Sequence, residues 1–172
     1  MRTSTPAPDE PAAPAEPRAS TALLERTLQQ IPLTASMRVE VGAYDGHSLA
    51  LSAPLAPNGN DKGCAFGGSI ASLLTLAGWG LILLKLEAAR IDCDIYVQDS
   101  TIRYLAPLWG DLRARAEIAN DGPAWDEFIA ALSARGRARL GVNCRMPTET
   151  GADACTLDAR FVAIVRSPSD TR

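Results

Sequence analysis

The chain has 172 residues, 47% hydrophobic and 22% charged, with a formal net charge of −3. That is enough for one domain with a real core, and the mild acidity argues against nucleic acid as a partner. The four cysteines (Cys64, Cys93, Cys144, Cys155) form no Cys-x-x-Cys pair and His47 is the lone histidine, so zinc-ligand spacing is absent and no metal or redox cofactor is implied.

Residues 1–19 are rich in Pro, Ala, Ser and acidic side chains. They bury too little apolar surface to offset ordering entropy, so a disordered arm is expected ahead of a folded unit over residues 20–172. The arm also lacks a signal peptide's apolar core, which makes a cytoplasmic location the expectation. Ser20 or Thr21 can cap a helix over Ala22–Ile31, with Leu23, Leu24, Leu28 and Ile31 on one face and Pro32 ending it. Met37–Tyr44 alternates, with Met37, Val39, Val41 and Ala43 inward, and Asp45-Gly46 turns it into a second strand, His47–Ala53.

The stretch from Asn58 to Leu86 follows. It opens as a polar, glycine-rich loop and continues as an apolar run without a charge from Gly63 to Leu84. A helix apolar all round must be buried on every side. The run is long enough to be weighed as a membrane span. Its internal glycines, Ser69, Ser72 and Thr75, and the amphipathic strands around it favour burial inside a sheet, and no membrane span is expected. The Trp79, Leu83 and Leu86 side reads as core more than as the lining of an apolar tunnel.

Asp94–Leu105 carries apolar residues on both faces, which suits a central strand or a subunit interface. Asp111–Ile118 alternates strictly, and Trp125, Phe128, Ile129 and Leu132 have helical spacing closed by Gly136. Arg137–Met146 and Leu157–Val165 read as the last strands, with a short frayed tail after Arg166. The order predicts an α+β fold, an antiparallel sheet wrapped around one long central helix.

Several motifs resemble the hot-dog fold thioesterase superfamily, and more narrowly the thioesterase-like domain at the C-terminus of YiiD-type proteins. They are Ala53-Pro54-Leu55-Ala56-Pro57-Asn58, Asn60-Asp61-Lys62-Gly63, Phe66-Gly67-Gly68-Ser69, Leu76-Ala77-Gly78-Trp79-Gly80, and Asp99-Ser100-Thr101-Ile102-Arg103-Tyr104. The resemblance covers about residues 20–166. It implies a hot-dog fold and a homodimer, with higher assembly open. It also implies hydrolysis of acyl-CoA or acyl-carrier-protein thioesters at a site between subunits. The broader superfamily often carries Asn-x-x-Gly-x-x-His-Gly-Gly followed by a carboxylate. Here Asn60, Gly63, Gly67 and Gly68 match, but Phe66 replaces the histidine and Thr75 stands where the carboxylate would be.

Thioester hydrolysis needs an oxyanion site and an activated water. Free N–H groups at a helix start supply the first, and Gly67 and Gly68 allow close approach or merely tight packing. Asp61 is the leading candidate base, or closes an Asx turn; Asn60 holds carbonyl or water, or closes the same kind of turn. Asp99 is a second candidate base, on a strand that the resemblance carries toward a neighbour's site. Lys62 and Arg103 suit phosphates of coenzyme A or a carrier arm, or are solvated charges. Asn58, Phe66, Ser69 and Thr75 complete the substrate-binding candidates. Cys64 reads mainly as a small buried residue. Phe66 and Thr75 also keep open a non-hydrolytic acyl-binding protein and an acyl-thioester dehydratase or isomerase.

Overall fold

A computed structural model describes residues 21–166. The expected arm over 1–19 and the tail beyond Arg166 lie outside the described residues. The chain forms α1 (Ala22–Gln29), α2 (Pro32–Met37), β1 (Glu40–Tyr44), β2 (Ser48–Ala53), a 3-10 turn (Ala56–Asn58), α3 (Gly67–Ala88), β3 (Cys93–Tyr104), β4 (Leu112–Ile118), α4 (Pro123–Arg135), β5 (Arg137–Pro147) and β6 (Asp153–Val165). The strands make one antiparallel six-stranded sheet in the order β1-β2-β4-β5-β6-β3.

The inward rows of this sheet are the apolar alternates. Leu49 pairs with Ala116, Leu51 with Ala114, Leu140 with Phe161 and Cys144 with Leu157, and all eight are buried. They enclose α3, whose Leu73, Leu74, Ala77, Leu81 and Ile82 are fully buried. Each of the leucine and isoleucine side chains contributes roughly 1.5–3 kcal/mol of burial free energy. Desolvation there pushes the Cys144 thiol up to about 12. α3 is long and apolar enough to cross a membrane, yet its apolar surface is used inside the sheet. One stripe remains half-buried, through Ser72, Thr75, Leu76, Trp79 and Leu83. The burial expected on every side therefore stops at this open flank.

Two local expectations are corrected. Pro32 was expected to end the first helix; α1 ends at Gln29, and Pro32 instead begins α2 at its first turn, where its missing N–H costs nothing. The buried Thr34 hydroxyl donates to the carbonyls of Leu28 and Ile31, tying α2 to the end of α1. Met37 is buried as expected, but in α2. Strand β1 starts only at Glu40, and an irregularity between Val41 and Tyr44 leaves Ala43 exposed and Tyr44 half-buried instead.

Strand β3 is an edge strand of the sheet, not a central one. Its bulge between Val97 and Asp99 explains the apolar residues of both parities. Ile95 and Val97 lie opposite Ala163 and Phe161 on the inner side; beyond the bulge Ser100, Ile102 and Tyr104 take that side. The edge is twelve residues long, and Tyr96, Val97 and Tyr104 are exposed along it. A row of unpaired backbone donors and acceptors beside apolar side chains is a template for another chain.

Candidate active site

The loop from Asn58 to Phe66 joins the 3-10 turn to α3. Its ends are pinned together, since Phe66 N donates to Asn58 O at 2.7 Å and Gly59 bridges Ala65. Its base is tied to the segment leading into β4: Leu55 N donates to Asp111 Oδ1 at 2.9 Å, and Ala65 N donates to Leu108 O at 2.8 Å. Asn58 is 1% exposed. Its Nδ2 donates to Met37 O at 2.9 Å and Pro54 O at 2.8 Å, while its Oδ1 is buried without a partner.

Within the loop, Asn60 makes the turn that the sequence offered as its plainer role. Its Oδ1 accepts from Lys62 N at 2.8 Å, and its Nδ2 donates to Cys64 Sγ at 3.2 Å. Gly63 passes through a left-handed conformation at φ +86°, which favours glycine. Cys64 is buried, as read. Asp61 stands out in solvent with its side chain 79% exposed, paired with Lys62 Nζ at 2.9 Å.

The N-terminus of α3 has no capping side chain, so its first N–H groups and the positive end of its dipole face outward. Phe66 is 54% exposed, and its ring lies over Gly68; a Cβ there would collide with Phe66 Cε1. Tyr104 Oη donates to Gly67 O at 3.0 Å, and its ring would be in ordinary contact with a Cβ at Gly67. Partial burial and, secondarily, Cys155 raise the Tyr104 hydroxyl above its usual value. Ser69 and Thr75 are half-buried on α3 and make no side-chain hydrogen bond within the described residues.

The structure thus gathers Asn60, Asp61, Lys62, Phe66, Gly67 and Gly68 at one end of α3. It does not bring Asp99 or Arg103 to them within the chain. The β3 bulge turns Asp99 to the outer face, where Arg160 donates to its Oδ2 at 2.7 Å and 3.0 Å. Arg103 lies on that outer face too, donating to Asp158 Oδ2 at 3.1 Å. Sequence reasoning missed Tyr104 as a site residue, although it ends a strand already recognised. It read Trp79, Leu83 and Leu86 mainly as core. All three do pack in or against the core, Leu86 buried and Trp79 and Leu83 half-buried, and all three also line a cavity.

A sequence profile of the family described as "putative thioesterase (yiiD_Cterm)" matches residues 20–165. Among solved structures, a protein of unknown function from Chlorobaculum tepidum is 27% identical with TM-score 0.81, covering 85% of this chain and 94% of that one. A "putative thioesterase" from Shewanella oneidensis is 27% identical with TM-score 0.71, covering 84% of this chain and 96% of that one. A thioesterase from Haemophilus influenzae, at 18% identity and TM-score 0.62, covering 83% of this chain and 90% of that one, shares the fold.

Proposed function

Since the chain belongs to this YiiD C-terminal, thioesterase-like family of hot-dog proteins, we propose that it hydrolyses acyl thioesters of coenzyme A or an acyl carrier protein. In this reading it acts as a homodimer joined along β3, with its site between subunits. The observation that carries the reading is the uncapped N-terminus of α3 beside two glycines. The thioester carbonyl oxygen lies against the N–H groups of Gly67 and Gly68. Water attacks the carbonyl carbon as its proton passes to Asp61, and the oxyanion is stabilised by those N–H groups. The tetrahedral species then collapses, the C–S bond breaks, and the leaving thiolate takes up the proton. Asn60 shapes the loop that presents Asp61, and Lys62 meets the phosphates of the carrier.

The test is free-thiol release from acyl-CoA and acyl-carrier-protein substrates by wild type, Asp61→Ala and Asp99→Ala side by side. Turnover lost with Asp61→Ala alone supports the loop as the source of the base, and loss with Asp99→Ala alone moves the base to β3.

One observation favours a second reading. Phe66 and Thr75 replace the usual histidine and carboxylate, and the buried polar residues among those described are Thr34, Ser48 and Asn58, so no carboxylate is held out of water. A protein that binds acyl thioesters without releasing thiol would fit that reading.

A further inference from the structure

Strand β4 covers only part of β5. Their pairing runs from Arg115 opposite Arg145 to Ile118 opposite Val142, whereas β5 begins at Arg137. Asn120 and Gly122, at φ +55° and +87°, turn the chain out of the sheet and into α4, which lies beside the first residues of β5. Between them runs a groove of about 700 Å³. Glu127, Ala131 and Arg135 of α4 line one wall, and Arg137, Arg139 and Gly141 of β5 line the other.

The β5 wall is a local sheet edge. Val165 N donates to Gly136 O at 2.8 Å on the β6 side, and Ala119 N donates to Gly141 O at 3.3 Å on the other side. Alternate residues of an antiparallel strand turn their backbone groups the same way. The N–H and C=O groups of Arg137 and Arg139 therefore point with those of Gly141 into the groove, where no strand among the described residues meets them. A run of such groups is a template for an added strand.

The side chains select what can be added. Arg135, Arg137 and Arg139 are all exposed. Among the described residues Arg135 and Arg137 have no carboxylate partner, and Arg139 donates to Gln98 Oε1 at 2.6 Å. Glu127 is the only carboxylate among the described residues lining the groove. A second copy pairing antiparallel through this edge would set arginines opposite arginines, which is unfavourable. A strand with Asp or Glu at alternate positions instead meets the guanidinium groups with charge-assisted hydrogen bonds.

We propose that this groove docks an extended acidic segment of a partner protein, which pairs with the backbone of Arg137 and Arg139 as an added strand. Its carboxylates lie against Arg135, Arg137 and Arg139. The groove shares no residue with the loop at the start of α3, and the docking stands whether or not the chain hydrolyses thioesters.

The experiment is fluorescence anisotropy of the full chain with a short labelled peptide alternating glutamate and valine. Saturable binding is expected, weakened about tenfold or more in Arg137→Gln/Arg139→Gln, which removes charge and leaves the backbone edge in place. Arg137→Glu/Arg139→Glu is expected to prefer the matching lysine–valine peptide. Hydrogen exchange reads the strand itself: the amides of Arg137 and Arg139 slow when the acidic peptide is bound. Of two peptides N-methylated at alternate positions, the one whose methyl groups face the edge is expected to bind about tenfold or more weakly. Equal binding of both N-methylated peptides, or no slowing of those amides, leaves only charge attraction and overturns the added strand. No saturable binding, affinity unchanged in the glutamine variant, or equal binding of glutamate and lysine peptides by wild type overturns the docking site.

Discussion

The Phe66 ring covers Gly68 so closely that a single added carbon would collide with it. The ring is exposed and can swing, so Gly68→Ala is expected to move Phe66 rather than unfold the protein. The consequence falls on the oxyanion site: thiol release is expected to drop about tenfold. In the double variant Gly68→Ala/Phe66→Ala the effects should be strongly non-additive, read as a kinetic double-mutant cycle. Additive losses would show that ring and glycine act independently.

Tyr104 reaches Gly67 from the last position of β3. Tyr104→Phe removes one partly exposed hydrogen bond and is expected to cost under about 1 kcal/mol of stability. Its ring remains against Gly67, so the effect should appear in kcat with KM nearly unchanged. Equal changes in both constants would assign Tyr104 to substrate binding instead.

Asn58 joins Met37 and Pro54 through one buried and one partly buried hydrogen bond. Asn58→Ala strands both carbonyls and is expected to lower unfolding free energy by about 3 kcal/mol. Urea denaturation checks this. A loss of activity without a shift in the midpoint would give Asn58 a direct role in the site.

Asp121 links the β1–β2 turn, α3 and the start of α4. Burial pulls its carboxyl pKa up, but hydrogen bonds from His47, Gly122 N–H and Lys85 outweigh burial and hold it below the usual range. Lys85 Nζ lies 3.2 Å from Asp121, with side chains 11% and 21% exposed, and 4.8 Å above the Trp125 ring. A depressed folded pKa contributes stability above the unfolded value near 4, and that contribution disappears as pH falls through the folded value. Asp121→Asn is therefore expected to cost about 1–3 kcal/mol at pH 7, leaving Lys85 without its countercharge. The gap to wild type should narrow progressively below pH 4. A constant gap in urea midpoints down to pH 2 would attribute the loss to packing instead.

Much of the architecture was written in local pattern. β4 and β5 alternate without exception, and Gly136, at φ +66°, ends α4 where expected. Pro32 was ambiguous because the same ring that stops one helix suits the first turn of another. The facing of Asp99 and Tyr104 was not legible, for one reason. The bulge at Gln98 reverses which parity faces inward, and nothing in the side-chain types announces it. Trp79 and Leu83 were hidden differently. A helix apolar on every side carries no periodic signal to mark its open flank. The loop's pinning by Leu108 and Asp111 depends on contacts far apart in sequence, beyond the reach of local pattern.

The strand order has a consequence for how the chain is made. β3 is synthesised directly after α3, but its neighbour in the sheet is β6, with Cys93 opposite Val165. Until the final strand has left the ribosome, the central helix has only a partial wrapping and its apolar surface stays accessible to chaperones. High contact order of this kind slows folding and lengthens exposure to aggregation. Truncations that remove β6 are expected to leave an insoluble nascent product rather than a smaller working domain.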